Sequence, residues 1–318
     1  MTGVRAAPAP DPLAAVAGLP GVAEAVARSR KAVDAARAHP VQRRRGPEVA
    51  AESALRGARA SAAMEGAVID LPALREAVRR GAVGRARPDP PVAAGADAGE
   101  DADAIADKDA GAIADKVAGM TARADSPVIL GAVRVSAELA SLAPTWRRAP
   151  LQVLARLHLL AATDLLEPDR LGRPRGPADP EPEASSPALP AAAAAARLDR
   201  LVRLVIAPTR APALVVAAIA HGELLAIRAF PAADGVLARA VFRLLLSTRG
   251  LDPASITVPE VGHLEMGTDA YAAQLSGYAT GGTAGVARWV EYCGLAVARG
   301  ARETMAFCDG MPAGTHTG

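Results

Sequence analysis

Hydrophobic positions along this chain recur three and four residues apart and seldom alternate, so the elements they predict are helices. Ala213–Ile227 (ALVVAAIAHGELLAI) is apolar almost throughout and predicts a buried helix. Leu237, Val241, Leu244 and Leu245 predict the next one, over Val236–Ser247. Leu151–Leu160 reads as a core helix, with His158 on the face of Leu151 and Leu154. Asp125-Ser126-Pro127 is a helix start. Asp70, with Pro72 in the first turn, opens a short helix that ends near Gly81, and Ala284–Asp309 reads as one long C-terminal helix. Residues 1–45 predict one or two amphipathic helices, broken at Pro20-Gly21 and stopped at Pro40, after which Pro47 suits the first turn of another. Extended signals are few, and Ser255–Val261 is the best of them. The expected fold is mainly α.

Composition sharpens this picture. Of 318 residues 51% are hydrophobic but only 3% aromatic, so the core must be built from Ala, Leu and Val on helices. Residues 86–124 repeat AIADK at 104–108 and 112–116 with almost no large apolar side chains, which predicts a flexible Ala/Asp-rich insert. It separates an N-terminal helical region (1–85) from a core (125–318) that carries a Pro-rich loop at 167–190. A net charge of +2 does not call for nucleic acid, and the Gln42-Arg43-Arg44-Arg45 run lacks interleaved aromatics. Residues 1–20 hold no sustained apolar region, and the apolar run Ala211–Ala220 is too short for a bilayer, so a cytoplasmic, membrane-independent protein is expected. Cys293 and Cys308 lie on one predicted helix, about 22 Å apart at the α-helical rise, and read as reduced core thiols. No metal site is expected. Pro259–Glu265 has suitable residue types but no standard spacing and reads as a solvent loop. Thr280–Gly285 lacks the lysine and the preceding strand of a P-loop and reads as a capped helix start. The chain has no strand–GxGxxG–helix unit, which argues against a dinucleotide oxidoreductase.

The segment between the two central helices carries the chemistry. Ile227–Arg239, IRAFPAADGVLAR, resembles the signature HPFxxGNGRxxR of the Fic (Fido) family, whose members move AMP or related groups from a nucleotide onto protein hydroxyls. Phe230, Gly235 and Arg239 match it directly. Arg228 stands at the histidine position, Ala229 at the proline, Ala233 at the first glycine, Asp234 at the asparagine and Val236 at the first arginine. The resemblance implies a helical Fic-like bundle and, for any nucleotide or anion, the positions Arg228, Phe230, Asp234, Gly235 and Arg239. It also implies lost catalysis. A guanidinium has no lone pair with which to take a proton, Ala232 replaces the acidic residue that holds magnesium, and Val236 removes a phosphate clamp. Asp234 reads as the N-cap of the following helix, closing the helix terminus that would attract phosphate. His221 reads as a buried structural histidine, with a displaced base as the alternative. In place of the family flap, a target-docking hairpin, residues 171–186 lack strand alternation.

Upstream, Ser61-Ala62-Ala63-Met64-Glu65-Gly66 resembles the inhibitory motif [ST]xxxE[GN] of self-restrained members, in which the glutamate pairs with the last signature arginine. Here that pair would be Glu65 and Arg239, and the bland alternative is a solvated glutamate at a helix end before Gly66. Two functions are therefore expected. One is a degenerate Fic-type protein that binds a protein, or weakly a nucleotide. The other is a transfer enzyme with a non-standard site restrained by Glu65, for which alone ATP and magnesium would be cofactors.

Overall fold

In the computed structural model, which describes residues 11–81, 123–179 and 189–311, the chain forms twelve α-helices among the described residues. They are α1 (Pro12–Ala17), α2 (Val22–Ala38), α3 (Pro40–Met64), α4 (Leu71–Arg79), α5 (Pro127–Trp146), α6 (Pro150–Ala162), α7 (Ala191–Ile206), α8 (Ala213–Ile227), α9 (Asp234–Thr248), α10 (Pro259–Met266), α11 (Thr268–Thr280) and α12 (Gly282–Asp309). The predicted insert at 86–124 lies almost wholly outside the described residues, as do residues 180–188 of the Pro-rich loop.

Helix α8 organises the bundle. Every residue from Leu214 to Gly222 is buried, so it needs neighbours all round and finds them in α2, α7, α9, α11 and α12. Helix α12 lies against α2, α10 and α11, while α3 packs on α5 and α10. With few aromatics, helices must approach closely to fill space. A Cβ on Gly131 would sit 2.2 Å from the carbonyl oxygen of Ala161 on α6, and one on Gly262 would sit 2.1 Å from that of Ala296 on α12. Only glycine fits at these two crossings. One hydrophobic core runs from Leu13 to Val297, so the N-terminal helices share it with the rest of the chain.

Several local expectations change. Pro40 ends α2 and also opens α3, because a proline at the first helical position gives up only an N–H that has no partner there. His39 Nδ1 accepts the Val41 N–H at 3.2 Å, and α3 continues through a kink at Arg45 (φ −132°, ψ 34°). Ser255–Val261 is not a strand. The Asp252 carboxylate takes the N–H groups of Ile256 and Thr257 at 3.2 and 2.8 Å, Ser255 has φ 50°, and Pro259 starts α10. Leu151 is exposed rather than part of the His158 face. No side chain caps α12; Gly281 holds the cap position and the helix opens at Gly282 (φ 56°). Helix α5 is long and apolar enough to cross a membrane, a feature the apolar-run reading overlooked. It packs between α3 and α6, and its Arg134 pairs with Asp164 at 2.6 Å.

Candidate functional site

The signature-like segment forms the loop between α8 and α9, and left-handed residues hold both its ends. Arg228 closes α8 at φ 49°, ψ 56°, and Ala233 precedes α9 at φ 60°, ψ 20°. For a side-chain-bearing residue this conformation costs about 1–2 kcal/mol. The resemblance places glycine at 233, so the loop keeps a glycine's backbone shape without the glycine. Ala233→Gly should therefore stabilise the protein by roughly 0.5–1 kcal/mol, the relieved strain less glycine's greater unfolded-state entropy. Urea unfolding checks this, and a destabilised variant would contradict it.

Neighbouring elements brace the loop. Phe230 stacks on His158 of α6 with ring centroids 4.7 Å apart and planes at 27°. His158 Nδ1 accepts the Gly172 N–H at 2.9 Å, which places the imidazole proton on Nε2, and burial lowers the histidine to about 4. Buried Arg175 donates from Nε to the Arg228 carbonyl at 2.8 Å, while its N–H reaches the Ala229 carbonyl at 2.8 Å. Its other guanidinium arm reaches the Leu189 carbonyl. Sequence reasoning missed Arg175, since an arginine in a Pro-rich loop carries no signal of its own.

Asp234 is not the N-cap. It is the first residue of α9, the cap position is Ala233, and no side chain caps the helix there. The Asp234 Oδ1 instead turns back to accept the Phe230 N–H at 3.3 Å, closing the loop on itself. The left-handed Ala233 takes the chain into the helix before Asp234 can reach forward. Burial pushes the Asp234 carboxyl up to about 7, against the pull of the Phe230 bond, Arg228 and Arg175, and Glu65 adds to the rise.

Glu65 lies against the first turn of α9. It follows the last turn of α3, and Gly66 (φ 83°) then turns the chain away. Arg239 on α9, 2% exposed, donates from Nη2 to Glu65 Oε1 at 2.6 Å and to the Ser61 carbonyl at 3.0 Å. Its Nε reaches Ser61 Oγ at 2.9 Å. A Cβ on Gly235 would lie 2.1 Å from Glu65 Oε1, so the carboxylate rests on the glycine backbone. Beside Ser61 only a void of about 10 Å³ remains, bounded by Ala132, Val236 and Glu260, at the limit of what a water needs. Ser61, Glu65, Gly66, Gly235 and Arg239 are thus brought together from distant parts of the chain. Arg228 and Phe230 stand on the adjacent loop and Asp234 opens α9.

His221 is buried, as the sequence suggested, whereas Pro259–Glu265 departs from its reading. His221 Nε2 is 2.7 Å from the Tyr271 hydroxyl and its Nδ1 is 3.9 Å from Cys293 Sγ, so its nitrogens face α11 and α12 rather than the loop. Pro259–Glu265 is no solvent loop. It forms most of α10, with Glu260 and His263 buried and Glu260 3.6 Å from Arg243. Proline at the first helical position starts α10, and Gly262 lets it press onto α12. For magnesium, Ala232 supplies no side-chain oxygen. The carboxylates at the loop are already engaged, Asp234 bonded to the Phe230 N–H and pushed by burial toward its protonated form, and Glu65 held by Arg239. This donor set does not fit a hard divalent ion.

No protein-family profile and no curated protein matches the sequence. Solved structures do match in fold. A Fic family protein from Desulfovibrio desulfuricans G20 superposes with a TM-score of 0.63 at 18% identity, covering 93% of this chain and 77% of that one. Residues 134–508 of Fic-1 from C. elegans superpose with a TM-score of 0.58 at 16% identity, covering 92% and 75%. The chain has the all-helical fold of Fic proteins, as the resemblance implied.

Proposed function

We propose that this Fic-fold chain does not carry out standard AMP transfer and acts by binding a protein, or weakly a nucleotide, with its anion site held shut from within. The observation that carries this reading is the seat of Glu65. Its carboxylate lies on Gly235 and Arg239, at the helix terminus where a phosphate would have to sit. Arg228 cannot accept a proton from an attacking hydroxyl, and the loss of a general base alone removes about 10²–10⁴-fold in rate.

One feature favours the second reading, a transfer enzyme with a non-standard site. Asp234, with a carboxyl near 7 beside Arg228 and Arg175, has the acidity of a general base at neutral pH. The experiment that separates the readings is calorimetric titration of Mg–ATP into wild type, Glu65→Gly and the shape-preserving Glu65→Gln, each first shown folded, together with a labelled-ATP transfer assay. The expected result is no binding by wild type, weak binding by the Glu65 variants at a Kd of roughly 0.1 mM or above (about −5.5 kcal/mol or weaker), and transfer by none. Transfer by a Glu65 variant that Asp234→Asn abolishes would establish the enzyme instead. No binding by any of the three would leave protein binding alone.

A further inference from the structure

The densest group of polar side chains in the core lies away from the loop. His221 on α8, His263 on α10 and Cys293 on α12 offer three ligand atoms within 4.8 Å of one another, and all three residues are fully buried. Phe242, Tyr271, Trp289 and Tyr292 surround the two imidazoles, whose centroids are 5.2 Å apart. In a chain that is 3% aromatic, this concentration of rings around two histidines and a thiol is not generic core filling.

We infer that His221, His263 and Cys293 form an N₂S site for a soft, thiophilic cation, copper(I) in preference to zinc(II). His263 is the first argument. Neither of its ring nitrogens has a hydrogen-bond partner, although the residue is fully buried, and a buried imidazole normally satisfies at least one. A cation between the helices gives one nitrogen the partner it lacks. The geometry of His221 is the second. Its Nδ1 faces Cys293 Sγ at 3.9 Å while its Nε2 faces the Tyr271 hydroxyl at 2.7 Å. A metal-bound histidine is usually arranged this way, one nitrogen on the metal and the other donating to an oxygen outside it. Ligand atoms around one ion at bond lengths of about 2.0–2.3 Å lie roughly 3.5 Å apart. The His221–Cys293 separation is already close to this, and the widest pair must close by about 1 Å.

Charge selects the ion. Binding forms a metal–sulfur bond and releases the Cys293 thiol proton to solvent. With copper(I) the complex of one thiolate and two neutral imidazoles is neutral; with zinc(II) it keeps one positive charge. That charge would be buried near Arg239, which acts on both histidines, and an added buried charge without a partner is strongly disfavoured. Thiolate and imidazole are the ligand types that suit copper(I).

The test is anaerobic titration of untagged, reduced full-length protein with copper(I) against a competing chelator, and separately with zinc(II), after equilibration long enough for the core to open. Tryptophan fluorescence, with Trp146→Phe as the background that isolates Trp289, and metal stoichiometry are the readouts. One copper(I) per chain is expected. Affinity should fall by about 100-fold or more in Cys293→Ala and His263→Gln, by roughly 10–100-fold in Tyr271→Phe, and not at all in Cys308→Ala. Where a variant fails to fold, X-ray absorption on the copper-loaded wild type decides instead. Two nitrogens and one sulfur around copper support the site, and a sulfur-only shell overturns it. Absence of binding of either metal, or equal loss in Cys308→Ala, also overturns it, and one-to-one zinc binding without copper binding overturns the choice of ion.

Discussion

Glu65→Gly is expected to lower the unfolding free energy by about 3 kcal/mol without producing AMP transfer. Removing one partner of a buried ion pair costs about 3–5 kcal/mol, because the remaining charge stays buried. The lower end applies here for two reasons. Glu65 is 33% exposed, so water already screens part of the pair. Arg239 also keeps the Ser61 hydroxyl and carbonyl as acceptors. Glycine at 65, next to Gly66, adds unfolded-state entropy of about 0.5–1 kcal/mol, so Glu65→Ala separates the lost pair from the backbone effect. Arg239→Met should cost less than Glu65→Ala, since it removes the buried charge and leaves Glu65 free to reach water. Chemical denaturation of the three variants checks the order. Equal stabilities for wild type and Glu65→Ala would mean that Glu65 is only a solvated helix end.

This pair was legible in the sequence because two short motifs, each weak alone, named both partners. The framework helices were legible for a simpler reason: apolar spacing survives wherever a helix buries one face or all of them, as in Ala213–Ile227. What escaped notice depends on three-dimensional approach. Arg175 braces the loop through carbonyl groups that belong to Arg228, Ala229 and Leu189, and no residue type announces a free carbonyl. His263 read as a solvent residue because its segment is short and mixed in polarity, yet Gly262 presses that segment onto α12 and buries it. His221, His263 and Cys293 come from three helices, so no spacing along the chain relates them. Asp234 failed differently. Its residue type favours a cap, but the left-handed Ala233 begins the helix one residue early and turns the carboxylate back toward Phe230.

That reversal gives the second large effect: Asp234→Asn should gain stability over wild type as pH rises from about 4 to about 8. In the folded chain the Asp234 carboxyl sits near 7, against 3.8 when unfolded, so between those values the folded state holds a proton that the unfolded state has released. Stability contributed by this group is fully present below about 4 and is lost as pH rises through about 7. A shift of about three units corresponds to roughly 4 kcal/mol, and partial exposure reduces this to an expected 2–4 kcal/mol. Wild type alone will not display the trend, because buried histidines oppose it. His158 and His263 are held down to about 4 and about 3, and His221 lies well below its ordinary 6.5. These three groups destabilise the fold as pH falls below about 6.5 and outnumber Asp234, so wild-type stability still rises toward neutrality. The difference between the Asp234→Asn variant and wild type isolates the carboxyl, because the histidines are common to both. Asparagine also keeps an oxygen for the Phe230 N–H and cannot ionise. Urea unfolding at pH 4, 6 and 8 measures that difference. A constant gap across the series would mean that Asp234 titrates as an ordinary surface carboxylate. A gap that shrinks in the Glu65→Gln background would show the two carboxylates acting on each other, as their shared place at the start of α9 requires.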